Sequence, residues 1–421
     1  MEKKPKVYLE AHGCAANMGD YEIIRSALER AGCQIVPTIA EADALVLVTC
    51  IVINTTEQRM LSRLKEFAKT GKKIIVAGCM AAARKEEALK IVPGIIFVKP
   101  SESATIAKIV CGSGVEYFES KLDVPVKHRG IQSIIQISEG CASACTYCIT
   151  KKARGKLVSF EPQKIVGCTK RAIESGCREL WITAQDTGDY GKDMKNLRLP
   201  QLLRKITEIP GDFKIRVGMM GIRGANQILG DLIEIYKNEK IYKFIHFPVQ
   251  SGDDEILRRM GRGYKAADFE RIVEKLRKEF PEILISTDVI VGFPGETEGQ
   301  FENTLDLLKR SRPEIINIKR FSSRPGTKAH KMEGKIHTKI MKARSTKATA
   351  LHHHIGAELG KNYVGKEFSA LVTEEGKNGT SFARLDNYKA VAIKEKIPVG
   401  KRVKVKIKSA TYAYLVGEIV E

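Results

Sequence analysis

Along the first 118 residues, short apolar runs alternate with segments of helical period. "EIIRSALERAG" and "TTEQRMLSRLKEFAKTG" repeat apolar positions every three to four residues and predict helices, whereas "ALVLVTCIVI", "KKIIVAGCM" and "GIIFVKP" predict buried strands. Gly, Asn and Pro punctuate the connections. Such alternation implies a parallel sheet covered by helices, so residues 1–118 are expected to form a doubly wound domain. Residues 119–130, "ESKLDVPVKHRG", carry neither period and read as a linker.

A second alternating set begins at residue 131. Strands are expected at "IQSIIQIS", "ELWITAQD", "FKIRVGMM", "KFIHFPVQ", "ILISTDVIVG" and "IINIKRFSS", with helices such as "PQKIVGCTKRAIESG" and "FERIVEKLRKEF" between them. Six strand-helix units suit a partial (βα)6 barrel better than a closed eight-unit one, and reactive groups should gather at the C-terminal strand ends. A bridging helix, "TKIMKARSTKATALHHHIGAELG", completes the region 131–362. From 363 to 421 the pattern becomes alternating, β-branched and Gly-punctuated, as in a small β-barrel. The expected class is α/β with a terminal all-β unit.

Charge adds a partner to this outline. The chain has 71 Lys or Arg against 50 Asp or Glu, a net +21, which favours a polyanion. A lysine-rich surface of heat-adapted type is the alternative. Residues 331–421 hold 18 of the basic and 9 of the acidic residues, so the excess concentrates where a docking surface is expected. Within it, "KRVKVKIK" puts a cation on alternate positions, giving one basic strand face, either solvated or turned toward RNA. No apolar run approaches the ~20 residues of a membrane span. The opening "MEKKPKVYLEAHGC" has no signal-peptide core, so a cytoplasmic protein without a membrane anchor is expected.

In that compartment clustered cysteines mean metal or catalysis more often than disulfides. Cys141, Cys145 and Cys148 follow the first strand of the second set directly. A structural zinc site closes with four ligands, usually as two short pairs. A cubane iron-sulfur cluster takes one thiolate per iron, so three thiolates leave one iron open. In the first domain Cys14, Cys50 and Cys79 end two apparent strands and open a helix. All three can converge on one edge of a doubly wound sheet, although a cysteine after a strand is often a small buried residue.

The C-x3-C-x2-C spacing after the first strand of an incomplete barrel, with Tyr147 before the last cysteine, resembles the radical S-adenosylmethionine (SAM) enzymes. Cys14 with Asn17, Asp20 and Glu22, "TC" at Cys50 before Asn54, and "GCM" at Cys79 resemble the amino-terminal domain of the methylthiotransferase branch. "ARGKLVS", "AQDTGDYG", "HFPVQSGDDEILRRMGRGY", "TDVIVGFPGET" and "FSSRPGTKA" match that family's central domain in order, and the terminal β-barrel resembles its RNA-binding TRAM domain. "CITKKARG" lacks a proline common in bacterial members, and Phe160 stands where arginine is frequent. Both point toward the archaeal and eukaryotic branch that acts on threonylcarbamoyladenosine.

The resemblance implies two 4Fe-4S clusters, one on Cys141, Cys145 and Cys148 that splits SAM, and an auxiliary one on Cys14, Cys50 and Cys79 that carries the donated sulfur. One SAM would methylate that sulfur and a second would give the radical that activates C2 of an adenine. It also implies that Tyr147 lies against the SAM adenine, that Gln185 and Asp186 contact the SAM amino group, and that Gln250 and Thr287 face the same cavity. The expected substrate is tRNA, gripped at the anticodon stem-loop by the basic C-terminal region, and the protein is expected to act as a monomer with an external electron donor. Isopentenyladenosine in tRNA and a ribosomal-protein aspartate are alternative substrates for the same chemistry. A non-catalytic zinc and RNA-binding protein is the rival from another class. His352, His353 and His354 splay around a helix and read as surface or packing residues, as do Cys33, Cys111, Cys168 and Cys177.

Overall fold

The computed structural model describes residues 4–112, 115–195 and 197–420. Its first sheet has five parallel strands in the order β2-β1-β3-β4-β5: β1 Lys6–Ala11, β2 Gln34–Val36, β3 Ala44–Thr49, β4 Lys73–Gly78 and β5 Ile96–Val98. Every residue of β3 is buried, because both faces are covered. Val46 and Val48 pack with Ile23, Ile24 and Leu28 of helix Ala15–Arg30, and Leu45 and Leu47 pack with Met60, Leu64 and Phe67 of helix Asn54–Ala68. The strand order reverses between β1 and β3, which opens a crevice at their C-terminal ends. Cys14 follows β1 and Cys50 follows β3, so the crevice collects them. Elsewhere in this domain Cys33 and Cys111 meet with Sγ atoms 2.8 Å apart.

The central region begins with β6 Gln132–Gln136 and a two-stranded antiparallel ribbon, β7 Ser138–Glu139 with β8 Val158–Ser159. The ribbon was not legible as strands, and it closes the base of the loop that carries the cysteine triplet. Strands β9 Glu179–Thr183, β10 Lys214–Val217, β11 Phe244–His246, β12 Leu284–Val291 and β13 Ile315–Arg320 complete the region. They form two parallel three-stranded sheets, β10-β9-β6 and β11-β12-β13. A parallel bridge between Ile215 and Ile241 joins the two into one curved wall whose free edges are β6 and β13. The wall is therefore an open six-stranded barrel, and helix Thr338–Lys361 packs along β13.

The C-terminal strands are β14 Glu367–Glu375, β15 Ser381–Leu385, β16 Ala390–Ile393, β17 Arg402–Ala410 and β18 Leu415–Ile419, closed as β14-β15-β16-β18-β17. The segments 381–393 and 402–419 each turn back as two strands. In the first, Tyr388 takes a left-handed φ of 68° and reverses the chain between β15 and β16. That turn docks on the open barrel. The Tyr388 ring sits 4.9 Å from that of Tyr242 and 5.0 Å from that of Phe244, its hydroxyl lies 3.3 Å from Glu179 Oε1, and Asn387 Nδ2 donates to the Glu282 carbonyl at 3.0 Å.

Two cysteine triplets around one candidate active site

The six motif cysteines line one cavity of about 470 Å3 between the first sheet and the open barrel. Cys14, Cys50 and Cys79 come from the crevice of the first domain, and Cys141, Cys145 and Cys148 from the loop between β7 and β8. Cys50 and Cys79 are buried, Cys14 is exposed and the second triplet is half-buried. Neither set of three has its sulfurs all within 4.8 Å of one another. Each set supplies three soft thiol donors, the donor chemistry of an iron-sulfur cluster.

Asn17 organises the first triplet. Its Nδ2 donates to the carbonyls of His12 at 3.0 Å and Thr49 at 2.8 Å, one residue from Gly13–Cys14 and immediately before Cys50, and its Oδ1 lies 3.7 Å from Cys79 Sγ. Thr49 Oγ1 donates to the Ala77 carbonyl at 2.6 Å and accepts from the Met80 amide at 3.1 Å, which fixes the Cys79 turn against the Cys50 turn. Burial pushes the Cys79 thiol up to about 12 and also raises Cys50, so binding a cluster there must displace protons.

The second triplet is held from the barrel side. Thr146 N donates to the Met260 carbonyl and Thr146 Oγ1 to the Arg259 carbonyl, each at 2.9 Å, and Lys151 Nζ donates to the Cys141 carbonyl. Gly261, left-handed at φ 72°, turns the chain so that Arg262 Nη1 reaches Cys145 Sγ at 3.0 Å and Tyr147 Oη at 3.4 Å. A guanidinium at this place can offset negative charge brought into a site that water does not fully solvate.

Tyr147, Gln185, Asp186 and Gln250 all line the cavity. Gln185 Oε1 is buried without a hydrogen-bond partner among the described residues, an acceptor left over for a bound donor. Asp186 Oδ1 accepts from the amides of Gly188 at 3.0 Å and Gly221 at 2.8 Å. Burial, with Asp189 nearby, raises its carboxyl to about 6. Gln250 has φ 68° and bridges to β12 through its backbone, its amide to Asp288 O at 2.8 Å and its carbonyl to Ile290 N at 2.9 Å.

Thr287 is a correction to the expected cavity set. It is fully buried and absent from the lining, because its hydroxyl donates to the Phe247 carbonyl at 2.7 Å and accepts from the Val249 amide at 3.2 Å. It shapes the segment that leads to Gln250 instead of facing the cavity.

Arg154 is the residue whose role the sequence motif hid. Its Nη2 donates to Asn17 Oδ1 at 2.8 Å and Asp20 Oδ2 at 2.6 Å, while its Nη1 donates to Glu139 Oε1 at 2.7 Å. Lys121 Nζ completes a buried knot with Asp20 at 2.6 Å and Glu139 at 2.5 Å. Burial would raise the Asp20 carboxyl, but Arg154 and Lys121 hold it below the usual carboxylate range. "ARG" in the motif marked the position; no periodicity indicates a contact across 134 residues.

The three histidines do splay: His352 Nε2 lies 3.3 Å from the Glu314 carbonyl, His353 stacks on Tyr412 and His354 pairs with Glu358 at 3.1 Å. The alternating basic strand is partly neutralised, since Arg402 pairs with Asp212, Lys404 with Glu367 and Lys408 with Glu418. No described helix is long and apolar enough to cross a membrane.

Family models match three successive regions: an uncharacterized protein family, UPF0004, over residues 6–98, the radical SAM superfamily over 135–308 and the TRAM domain over 361–420. A relative from Pyrococcus horikoshii named "Probable threonylcarbamoyladenosine tRNA methylthiotransferase" is 40% identical over 99% of each chain. An Archaeoglobus fulgidus relative of the same name is 41% identical over 98% of each, and the human threonylcarbamoyladenosine tRNA methylthiotransferase is 32% identical over 99% of this chain and 74% of its own. Among solved structures, the radical SAM methyltransferase TsrM from Kitasatospora setae superposes with TM-score 0.59 at 14% identity, over 78% of this chain and 77% of that one, a likeness of fold. With its three regions in this order and relatives of this identity along its whole length, the chain belongs to the threonylcarbamoyladenosine tRNA methylthiotransferase family of radical SAM enzymes.

Proposed function

We propose that the protein inserts a methylthio group at C2 of N6-threonylcarbamoyladenosine next to the tRNA anticodon, at position 37, using two SAM molecules and two 4Fe-4S clusters. The observation that carries this reading is the common cavity: two thiol triplets from different domains face one space large enough for a nucleoside. The residues fit the groups. Each triplet offers three soft donors, and Gln185 Oε1 offers an unused acceptor in the cavity lined by Cys141, Cys145 and Cys148.

Bound at Cys141, Cys145 and Cys148, a reduced cluster with SAM would supply a carbon-centred radical, while a cluster at Cys14, Cys50 and Cys79 would supply the sulfur. The chain's own residues orient and shield. Arg262 holds the Cys145 side of the cavity, Asn17 keeps the first triplet in register, and Arg154 fixes one triplet's domain against the other's. The TRAM barrel and the basic C-terminal region support tRNA as the substrate, with affinity that falls as salt rises. An external electron donor supplies the reduction, and the protein acts as a monomer in the cytoplasm.

Anaerobic reconstitution with iron and sulfide tests the reading. About eight irons per chain, followed by a methylthio nucleoside from threonylcarbamoyl-modified tRNA in the presence of SAM and reductant, is the expected result. Eight irons and SAM cleavage without that product would shift the substrate to isopentenyladenosine or a ribosomal-protein aspartate; zinc without iron would reject the enzyme. Cys14→Ala should keep SAM cleavage and lose sulfur insertion.

A further inference from the structure

A second cavity, of about 240 Å3, lies between the open barrel and the C-terminal β-barrel, and it shares Arg216 and His246 with the wall of the six-cysteine cavity. The rest of its lining includes Ser286 and Asn317 from β12 and β13, and Arg384 and Lys389 from the β15–β16 hairpin. The two shared side chains make it an annex beside the six-cysteine cavity, and the C-terminal β-barrel lines one side of it.

Arg216 is the unusual member. Its guanidinium lies 4.9 Å from the Trp181 ring, 5.0 Å from Phe244 and 5.3 Å from Tyr388, so aromatic rings hold it in place. Its Nε is buried without a hydrogen-bond partner, and no ion pair engages it among the described residues. The nearby carboxylate of Glu179 is already taken, accepting from Gln132, Trp181, Tyr242 and Tyr388. Arg384 Nε is likewise buried without a partner, although its Nη2 reaches Glu374 at 3.3 Å, and Lys389 is buried. Three cations around a small space of mixed polar and apolar lining, with two N–H donors unspent, call for an anion.

Resting on the substrate reading above, we propose that this annex receives the carboxylate of the threonylcarbamoyl side chain, with Arg216 as its paired cation. The annex adjoins the catalytic space, and it is sized for a small side chain and not for an RNA backbone. A planar guanidinium matches a carboxylate's two oxygens. An isopentenyl group would leave the buried Arg216 Nε without a partner, so the annex selects between the two modified bases.

Three anticodon stem-loop RNAs that differ only at the target base, carrying adenosine, isopentenyladenosine or threonylcarbamoyladenosine, test this with the reconstituted full-length protein by fluorescence anisotropy. The wild type should favour the threonylcarbamoyl RNA over the adenosine RNA by about tenfold or more. Arg216→Gln should bring that ratio near one without weakening the adenosine RNA, Arg216→Lys should restore part of it, and the affinity for SAM should stay unchanged. Arg384→Gln, at a half-exposed side chain, should lower the ratio less and serves if Arg216→Gln fails to fold. Retention of the preference in both Gln variants would overturn the inference. So would weakened SAM binding with the RNA preference intact, which would assign Arg216 to the SAM carboxylate. A wild type that makes no methylthio product from the threonylcarbamoyl RNA would overturn the substrate reading itself, whereas normal product with unaffected variants would overturn only the annex.

Discussion

Arg154 donates to Asp20 at 2.6 Å across the boundary between the two cysteine-bearing domains, and both side chains are buried. Arg154 sits on the helix Thr150–Arg154 that begins two residues after Cys148, and Asp20 on the helix that begins after Cys14. This pair, within the knot that Lys121 and Glu139 complete, ties the helix after one triplet to the helix after Cys14.

Arg154→Met should cost about 3 kcal/mol of stability, because it leaves Asp20 and Glu139 to share Lys121. Calorimetry of the metal-free protein measures this. SAM cleavage should survive, since the ligands of the central triplet are untouched, while methylthio product should fall by more than about tenfold.

Asn17→Ala should free the His12, Thr49 and Cys79 contacts together. The expected result is a protein that reconstitutes with about four irons instead of about eight, with the remaining cluster still binding SAM. Iron and sulfide counting with electron paramagnetic resonance decides it; eight irons would show that the first triplet needs no positioning from Asn17.

Gly13→Ala tests the same turn from its backbone. Gly13 has φ 134°, and a Cβ there would meet Asn17 Nδ2 at 2.6 Å and Cys50 Cβ at 2.8 Å. The loop has to move, so sulfur insertion should drop at least about tenfold with SAM cleavage within about twofold of wild type.

Glu22 gives a pH signature. Burial raises its carboxyl from 4.5 to about 7, with only the Ile134 backbone pulling the other way. Between those values the folded protein holds a proton that the unfolded chain has released, so stability falls as pH rises through the window and the penalty is complete above it. Glu22→Gln should therefore stabilise the metal-free protein by about 2 kcal/mol at pH 8 and by almost nothing near pH 4.5, as read by thermal unfolding.

The strands and the cysteines were legible because each is written locally. An eight-residue strand such as Leu284–Val291 stands between its helices as a mainly apolar and β-branched run, broken only by Ser286 and Asp288, and a thiol triplet is a spacing. Thr287 shows where local reading stops: it ends no strand but lies inside one, and its hydroxyl is consumed by a neighbouring strand 40 residues away. Lys121 shows the same from the polar side. It stands in a stretch that looks like an exposed linker, and only its pairing with Asp20 and Glu139 makes it a buried residue. Arg216 and Tyr388 meet across 172 positions, a contact set by domain docking.

Tyr388 wedges the C-terminal β-barrel against the catalytic one, its ring edge-on to Tyr242 and tilted against Phe244 and its hydroxyl anchored to Glu179. An RNA domain on a loose tether would raise local concentration and leave the target base to find its own way in. A wedged one would act, on the tRNA reading proposed above, as a caliper: the protein would set the span from gripped backbone to reactive space, so that a base is chosen by its distance along the stem-loop.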